Sequence, residues 1–222
     1  MNTTTNKKSF LPAPFVPSAD PIDGLISTID LNNFIRVELT AWEGIKPGDT
    51  AQLMLGDLYA SPVWTMTPDI SIGDTILMNL DPQLLSTDGM HSLYYYSVNP
   101  ENGVITSSTT IALIVDLTPP GASLLAPLLV ANASFGLYLK ARIPGYAGME
   151  PGDLIQTVCN GTQGPTHRVV PENLTTTPVE ISFTQEFLEG LFSDRVNITY
   201  HVTDRAGNRS ILAQSVELTM QH

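Results

Sequence analysis

Apolar residues along this chain recur at every second position over short stretches, a period of two rather than the 3.6 of an amphipathic helix. Ile35, Val37 and Leu39 alternate with Arg36 and Glu38, which predicts one buried and one wet face. Leu53 and Leu55 alternate with Gln52 and Met54, and Tyr94, Tyr96 and Val98 alternate with Tyr95 and Ser97. Ile111, Leu113 and Val115 complete this first series. A later series runs through Ile198, Tyr200 and Val202 and ends on Val216 and Leu218. Short strands of this kind, separated by Gly, Pro, Asn and Asp turns, predict an all-β chain of sandwich type. Helical turns are expected only at residues 82–85 and 185–189.

The two series are echoes of one another. Trp42-Glu-Gly-Ile-Lys-Pro-Gly-Asp49 matches Tyr146-Ala-Gly-Met-Glu-Pro-Gly-Asp153 at an offset of 104 residues. The same offset pairs Ile35, Val37 and Leu39 with Leu139, Ala141 and Ile143, Tyr96 and Val98 with Tyr200 and Val202, and Gly103 with Gly207. Ile76, Met78 and Leu80 match Val179, Ile181 and Phe183 at an offset of 103. An internal duplication accounts for anchors this far apart at one spacing. The boundary is expected at Asp116-Leu-Thr-Pro-Pro-Gly121, because two prolines cannot continue a strand ladder. The predicted organisation is a flexible proline-rich lead over 1–23, a first domain over 24–118 and a second over 119–222.

The turns have a physical reading of their own. Pro47-Gly48 and Pro151-Gly152 suit type II turns, with Asp49 and Asp153 placed to bond back to loop amides. Asn99–Gly103 and Thr203–Gly207 read as hairpin loops with glycine in the left-handed region. The repeated Trp/Tyr-x-Gly-Ile/Met-x-Pro-Gly-Asp turn, the late-strand pattern Tyr200-His-Val-Thr-Asp-Arg-Ala-Gly-Asn208 and the Val115-Asp-Leu-Thr-Pro-Pro120 junction resemble tandem bacterial Ig-like repeats of the adhesin and surface-protein type. The Asp-x-Ala-Gly-Asn signature is complete in the second repeat, whereas Pro100 and Val104 stand at the Asp and Asn places of the first. The resemblance implies two tandem immunoglobulin-like sandwiches used in adhesion, binding or spacing, a bacterial source, and no shared catalytic residues.

Charge narrows the partner. The 222 residues carry 10 Lys+Arg against 22 Asp+Glu, a net charge of −12, which argues against a phosphate-backbone binder. The acidity is uneven, with 2 basic against 11 acidic residues over 24–118 and 6 against 9 from Pro119 onward. This favours solubility as its reason, with a cationic partner of the first repeat as the sharper alternative. No apolar run reaches the roughly 20 residues of a membrane span. MNTTTNKKSF is followed by proline-rich sequence rather than an apolar stretch, so no classical signal peptide is read, and a cytoplasmic location or a non-classical export route is expected. The Asn-X-Ser/Thr triplets at Asn2, Asn132, Asn160, Asn173, Asn197 and Asn208 are read as plain composition.

Catalytic chemistry finds little footing. His91, His167, His201 and His222 have no ligand-like spacing that both repeats share, and His201 is expected on an outer strand face. The single cysteine, Cys159, is read as a small apolar residue; a pairing with His167 is the alternative that activated thiols would require. Calcium is the one metal worth weighing, through Asp116 at the junction and Asp204 with Asn208 in a late loop, although six to eight oxygens are needed. No catalytic residue or metal set is assigned, and no cofactor is expected. The expected function is a non-enzymatic binding or adhesion module that presents loops and strand edges to a protein or cell-surface partner. The alternatives are a carbohydrate-binding protein with Tyr95, Tyr59 or Trp64 as stacking platforms, or a structural spacer in a secreted or injected assembly. The Tyr95 platform depends on Tyr94 and Tyr96 facing the core, which would leave Tyr95 exposed.

Overall fold

A computed structural model describes residues 11–130 and 138–220; Asn2, Asn132 and His222 lie outside them. The chain divides into two compact units, Met1–Leu117 and Thr118–His222. Both are built almost wholly of antiparallel strands, so the all-β expectation holds.

Unit 1 contains β1 (Ile35–Thr40), β2 (Thr50–Leu55), β3 (Leu58–Tyr59), β4 (Trp64–Thr65), β5 (Thr75–Leu80), β6 (Gly89–Val98), β7 (Ile105–Ser107) and β8 (Ile111–Val115). β1 pairs with β5, while β3, β2, β6 and β7 form a second sheet in which β4 also pairs with β2 and β8 with β6. The inward alternations of both sheets meet in one apolar cluster that includes Val37, Leu39, Leu53, Ile76, Leu80, Leu93 and Leu113. The expected helical turn is a 3₁₀ turn at Pro82–Leu85, capped by Asp81, whose carboxylate accepts the Gln83 N–H.

Unit 2 contains β9 (Leu129–Val130), β10 (Tyr138–Ile143), β11 (Leu154–Cys159), β12 (Thr162–Arg168), β13 (Val179–Thr184), α1 (Gln185–Glu189), β14 (Arg195–Thr203) and β15 (Val216–Thr219). Its sheets run β13-β10-β9 and β12-β11-β14-β15. The second helical turn is α1, whose N-cap Thr184 accepts the Phe187 N–H. Asn160 and Gly161 both take positive φ between the paired ends Cys159 and Thr162, the conformation a two-residue hairpin with Asn-Gly demands.

The two units share pairing registers. Ile35 faces Leu80 in unit 1, and Leu139 faces Phe183 in unit 2. Leu53 faces Tyr95, and Thr157 faces Tyr200. Tyr95, not Tyr96, therefore occupies the place that Tyr200 holds in unit 2. This corrects the sequence alignment by one residue and reverses the faces of β6. Leu93, Tyr95 and Ser97 point inward, while Tyr94, Tyr96 and Val98 point out. Tyr95 is fully buried against Trp42, with ring centroids 5.8 Å apart, so it is no exposed stacking platform. The misreading has a simple physical origin: both alternations of β6 are apolar enough to be core, and tyrosine fits either face.

The buried tyrosines differ in one atom's fate. The Tyr200 hydroxyl donates to the Ala126 carbonyl at 2.8 Å, whereas the Tyr95 hydroxyl is buried with no hydrogen-bond partner among the described residues. Burial raises the pKa of both, that of Tyr200 to about 12. Removing a partnered hydroxyl costs about 1 kcal/mol, while an orphaned one is a liability. Tyr200→Phe should lower the stability of unit 2 by about that amount, and Tyr95→Phe should leave unit 1 unchanged or more stable. Urea unfolding checks both, with intrinsic fluorescence reporting unit 1, since both tryptophans, Trp42 and Trp64, lie there.

The proline-rich segment departs from expectation from Leu11 onward. Leu11 and Val16 are buried in the unit 1 core. Phe15 exchanges two backbone bonds with Glu38 of β1, both at 2.8 Å. Ile26 donates to the Ile114 carbonyl and Gly24 accepts from Ile114, so the segment also edges β8. Residues 11–23 thus belong to unit 1 instead of forming a flexible lead. Proline permits this because an edge segment needs only every second N–H.

Candidate functional site: an aromatic groove in unit 1

Between β4 and β5 the first unit opens into a groove of about 610 Å³. Phe34, Tyr59, Trp64, Leu77, Asn79 and Asp81 line it. Phe34 and Tyr59 are each 68% exposed, and Leu77 is 54% exposed. The groove exists because the chain breaks off pairing between β3 and β4. Ala60 still donates to the Leu53 carbonyl at 2.8 Å, but Pro62 cannot donate to a ladder, and strand pairing with β2 resumes only at Trp64. In unit 2 the corresponding chain forms the continuous strand β12, which lies against β13.

The broken segment is held in place by side chains. The Ser61 hydroxyl accepts the Leu53 N–H at 3.0 Å, replacing a ladder bond, and donates to the Pro62 carbonyl at 2.9 Å. Gln52 donates to the Ser61 carbonyl at 2.9 Å and accepts from the Tyr96 hydroxyl at 2.7 Å. Partial burial and the neighbouring Tyr59 phenol raise the pKa of Tyr96. Tyr59, Tyr94 and Tyr96 thereby form an outward tyrosine cluster continuous with the groove. The outward positions of β6, namely Met90, Ser92, Tyr94, Tyr96 and Val98, carry no charge at all. Of the three expected platforms, Tyr59 and Trp64 meet in this site and Tyr95 does not. Phe34, Leu77, Asn79 and Asp81 were not anticipated; the signals were Pro62 inside a strand region and a β5 without charged residues.

The other candidates resolve into structural roles. Cys159 is fully buried at one end of β11, and burial pushes its thiol up to about 11, the reverse of an activated nucleophile. His167 pairs across the other end of β11 at Ile155, and its Nε2 bonds Asn173 at 2.9 Å, so no Cys159–His167 pair forms. Asp204 accepts both the Asn208 N–H at 2.8 Å and the Asn208 side-chain amide at 2.9 Å, closing its own loop. No cluster of three or more metal-type ligands occurs among the described residues, at Asp116 or elsewhere. Also among the described residues, no helix is long and apolar enough to cross a membrane.

His201 is 8% exposed, not surface-facing as expected, and its Nδ1 has no hydrogen-bond partner among the described residues. Burial, helped by the Arg209 charge, lowers its pKa from the ordinary 6.5. The unfolded chain therefore takes up a proton at a pH where the folded chain does not. Stability from neutral His201 is complete above pH 6.5, is lost as pH falls below it, and levels off below the depressed folded value. Unit 2 should lose stability through this window, and His201→Gln should flatten the slope, as measured by urea unfolding at stepped pH.

The chain matches no protein-family model, and no curated protein sequence matches it significantly.

Proposed function

We infer that this chain is a non-enzymatic recognition module built from two duplicated immunoglobulin-like sandwiches, with its contact surface in the groove of unit 1. The equivalent registers of β1–β5 with β10–β13, and of β2–β6 with β11–β14, support the duplication. The single observation that carries the recognition reading is the exposure of Phe34, Tyr59 and Leu77 together around one groove. Large apolar side chains left in water cost solubility and mark contact surfaces when they cluster. Aromatic residues at such sites commonly dominate binding energy. The leading partner is a protein or cell-surface component, met through a rigid sheet and its edge.

A neutral glycan is the second reading, and the charge-free tyrosine face favours it: rings of Tyr59, Tyr94 and Tyr96 can stack on sugar faces while Gln52 and Asn79 meet hydroxyls. The test is saturable binding of the purified chain to bacterial and host cells and to a glycan panel, repeated with Tyr59→Ala. Tyr59 is exposed enough to be removed without unfolding the unit. Loss of a hot-spot tyrosine should weaken binding by about thirtyfold, from about 2 kcal/mol. Binding that ignores the substitution would place the contact elsewhere, and absence of any binding would remove the recognition reading.

A further inference from the structure

The groove is bordered by a strand edge with unspent backbone groups. Glu38 of β1 gives both its N–H and its carbonyl to Phe15, so neither points at β5. Its register partner in β5 is Leu77. In an antiparallel ladder such a facing pair exchanges no bonds, and both residues direct their backbone groups away from each other. The N–H and C=O of Leu77 therefore face away from β1, and those of Thr75 and Asn79 do the same by alternation. Among the described residues β5 pairs with β1 alone.

Natural edges are usually blunted by charge, proline or a bulge. β5 reads Thr-Ile-Leu-Met-Asn-Leu, has unbroken register, and carries none of these. It is six residues of flat template beside an aromatic groove. The groove is lined by the carboxylate of Asp81 and by no cation. Over 11–117 the chain carries 13 acidic against 2 basic residues, and those two, Arg36 and Lys46, sit beside Glu38 and Glu101. Acidic residues outnumber basic ones around the edge, where the one cation of β1, Arg36, stands opposite Asn79 and pairs with Glu38.

We propose that an extended, Lys/Arg-bearing peptide segment of a partner protein adds to unit 1 as a strand on the β5 edge, with alternate apolar side chains seated against Tyr59, Trp64 and Phe34. This rests on the reading of the groove as the recognition surface. Main-chain bonds to Thr75, Leu77 and Asn79 supply affinity, the aromatic wall selects alternate apolar residues, and the acidic surface selects basic ones.

The test is selection from a displayed random library of peptides about ten residues long, followed by titration of the synthetic winners. Winners should alternate apolar residues with Lys or Arg, and their binding should weaken as salt rises from about 50 to 500 mM. N-methylation of alternate peptide amides should cost at least about tenfold in affinity. Leu77→Pro deletes an N–H that faces away from β1, a substitution an edge tolerates, and should cost as much, while Leu77→Ala, which keeps the N–H and loses only side-chain contact, should cost less than the proline. Should the proline variant not fold, N-methylation decides alone. Acidic or uncharged winners, or indifference to N-methylation, would overturn the proposal. Tyr59-dependent binding to an uncharged oligosaccharide panel with no peptide selected would overturn strand addition yet preserve the groove as the contact surface. Failure of both ligand classes would overturn strand addition, and absence of binding to cells as well would overturn the recognition reading.

Discussion

Gly24→Ala is expected to cost unit 1 about 3–5 kcal/mol, by adding overpacking to backbone strain. A Cβ at this position would stand 2.3 Å from the Ala112 carbonyl oxygen, a backbone atom with no rotamer to escape into. Gly24 also takes φ +82°, a conformation that favours glycine. Its carbonyl accepts the Ile114 N–H at 2.9 Å, so relaxing the clash means releasing the segment from β8. That release would uncover Ile26, which is fully buried. Urea unfolding followed by tryptophan fluorescence should show a transition shifted to markedly lower denaturant. An unchanged transition would mean that the proline-rich segment and its anchor are not part of the cooperative core. Gly56→Ala supplies the contrast, since positive φ there meets open space and the strain acts without the clash.

Much of this architecture was legible in the residues because one face of each strand is unambiguous. In β1 and β10 the outward positions carry Arg36, Glu38, Lys140 and Arg142, and charge cannot face a core. Those strands, their partners β5 and β13, and both helical turns fall where the alternation puts them. β6 failed the same test because neither alternation carries a charge, so only pairing with β2 reveals which tyrosine is buried. His201 misled for a related reason: a polar residue between two core positions reads as wet, yet it is buried with them. The proline-rich segment was misread because composition reports the lack of a regular ladder, not the lack of packing. Tyr59 and Trp64 could be named as aromatic candidates, but the groove that joins them depends on the loop at Pro62 and on the edge of β5, which come together only in three dimensions.

The repeated Pro-Gly-Asp turn supports the second large effect. Asp49 is 4% exposed and Asp153 only 1%, unusual burial for carboxylates. Each is retained as a turn clamp. Asp49 accepts the Lys46 N–H at 2.9 Å, and Asp153 accepts the Glu150 N–H at 3.1 Å. Each clamp then recruits a further donor from what its unit offers. In unit 2 the Tyr146 hydroxyl reaches Asp153 at 2.7 Å. In unit 1 the equivalent residue is Trp42, which packs on Tyr95, and Asn99 from the hairpin loop donates to Asp49 at 3.0 Å instead. Asp153→Ala would strand a half-buried hydroxyl and a turn amide at once. At about 1–3 kcal/mol for each group left unsatisfied, reduced because both are partly open to water, unit 2 should lose about 2–4 kcal/mol. Asp49→Ala should cost unit 1 less, because Asn99 sits in a surface loop and can turn to water. Combining Asp153→Ala with Tyr146→Phe should recover part of the loss, since the hydroxyl no longer needs a partner; strict additivity in urea unfolding would show that the two groups do not act as one clamp.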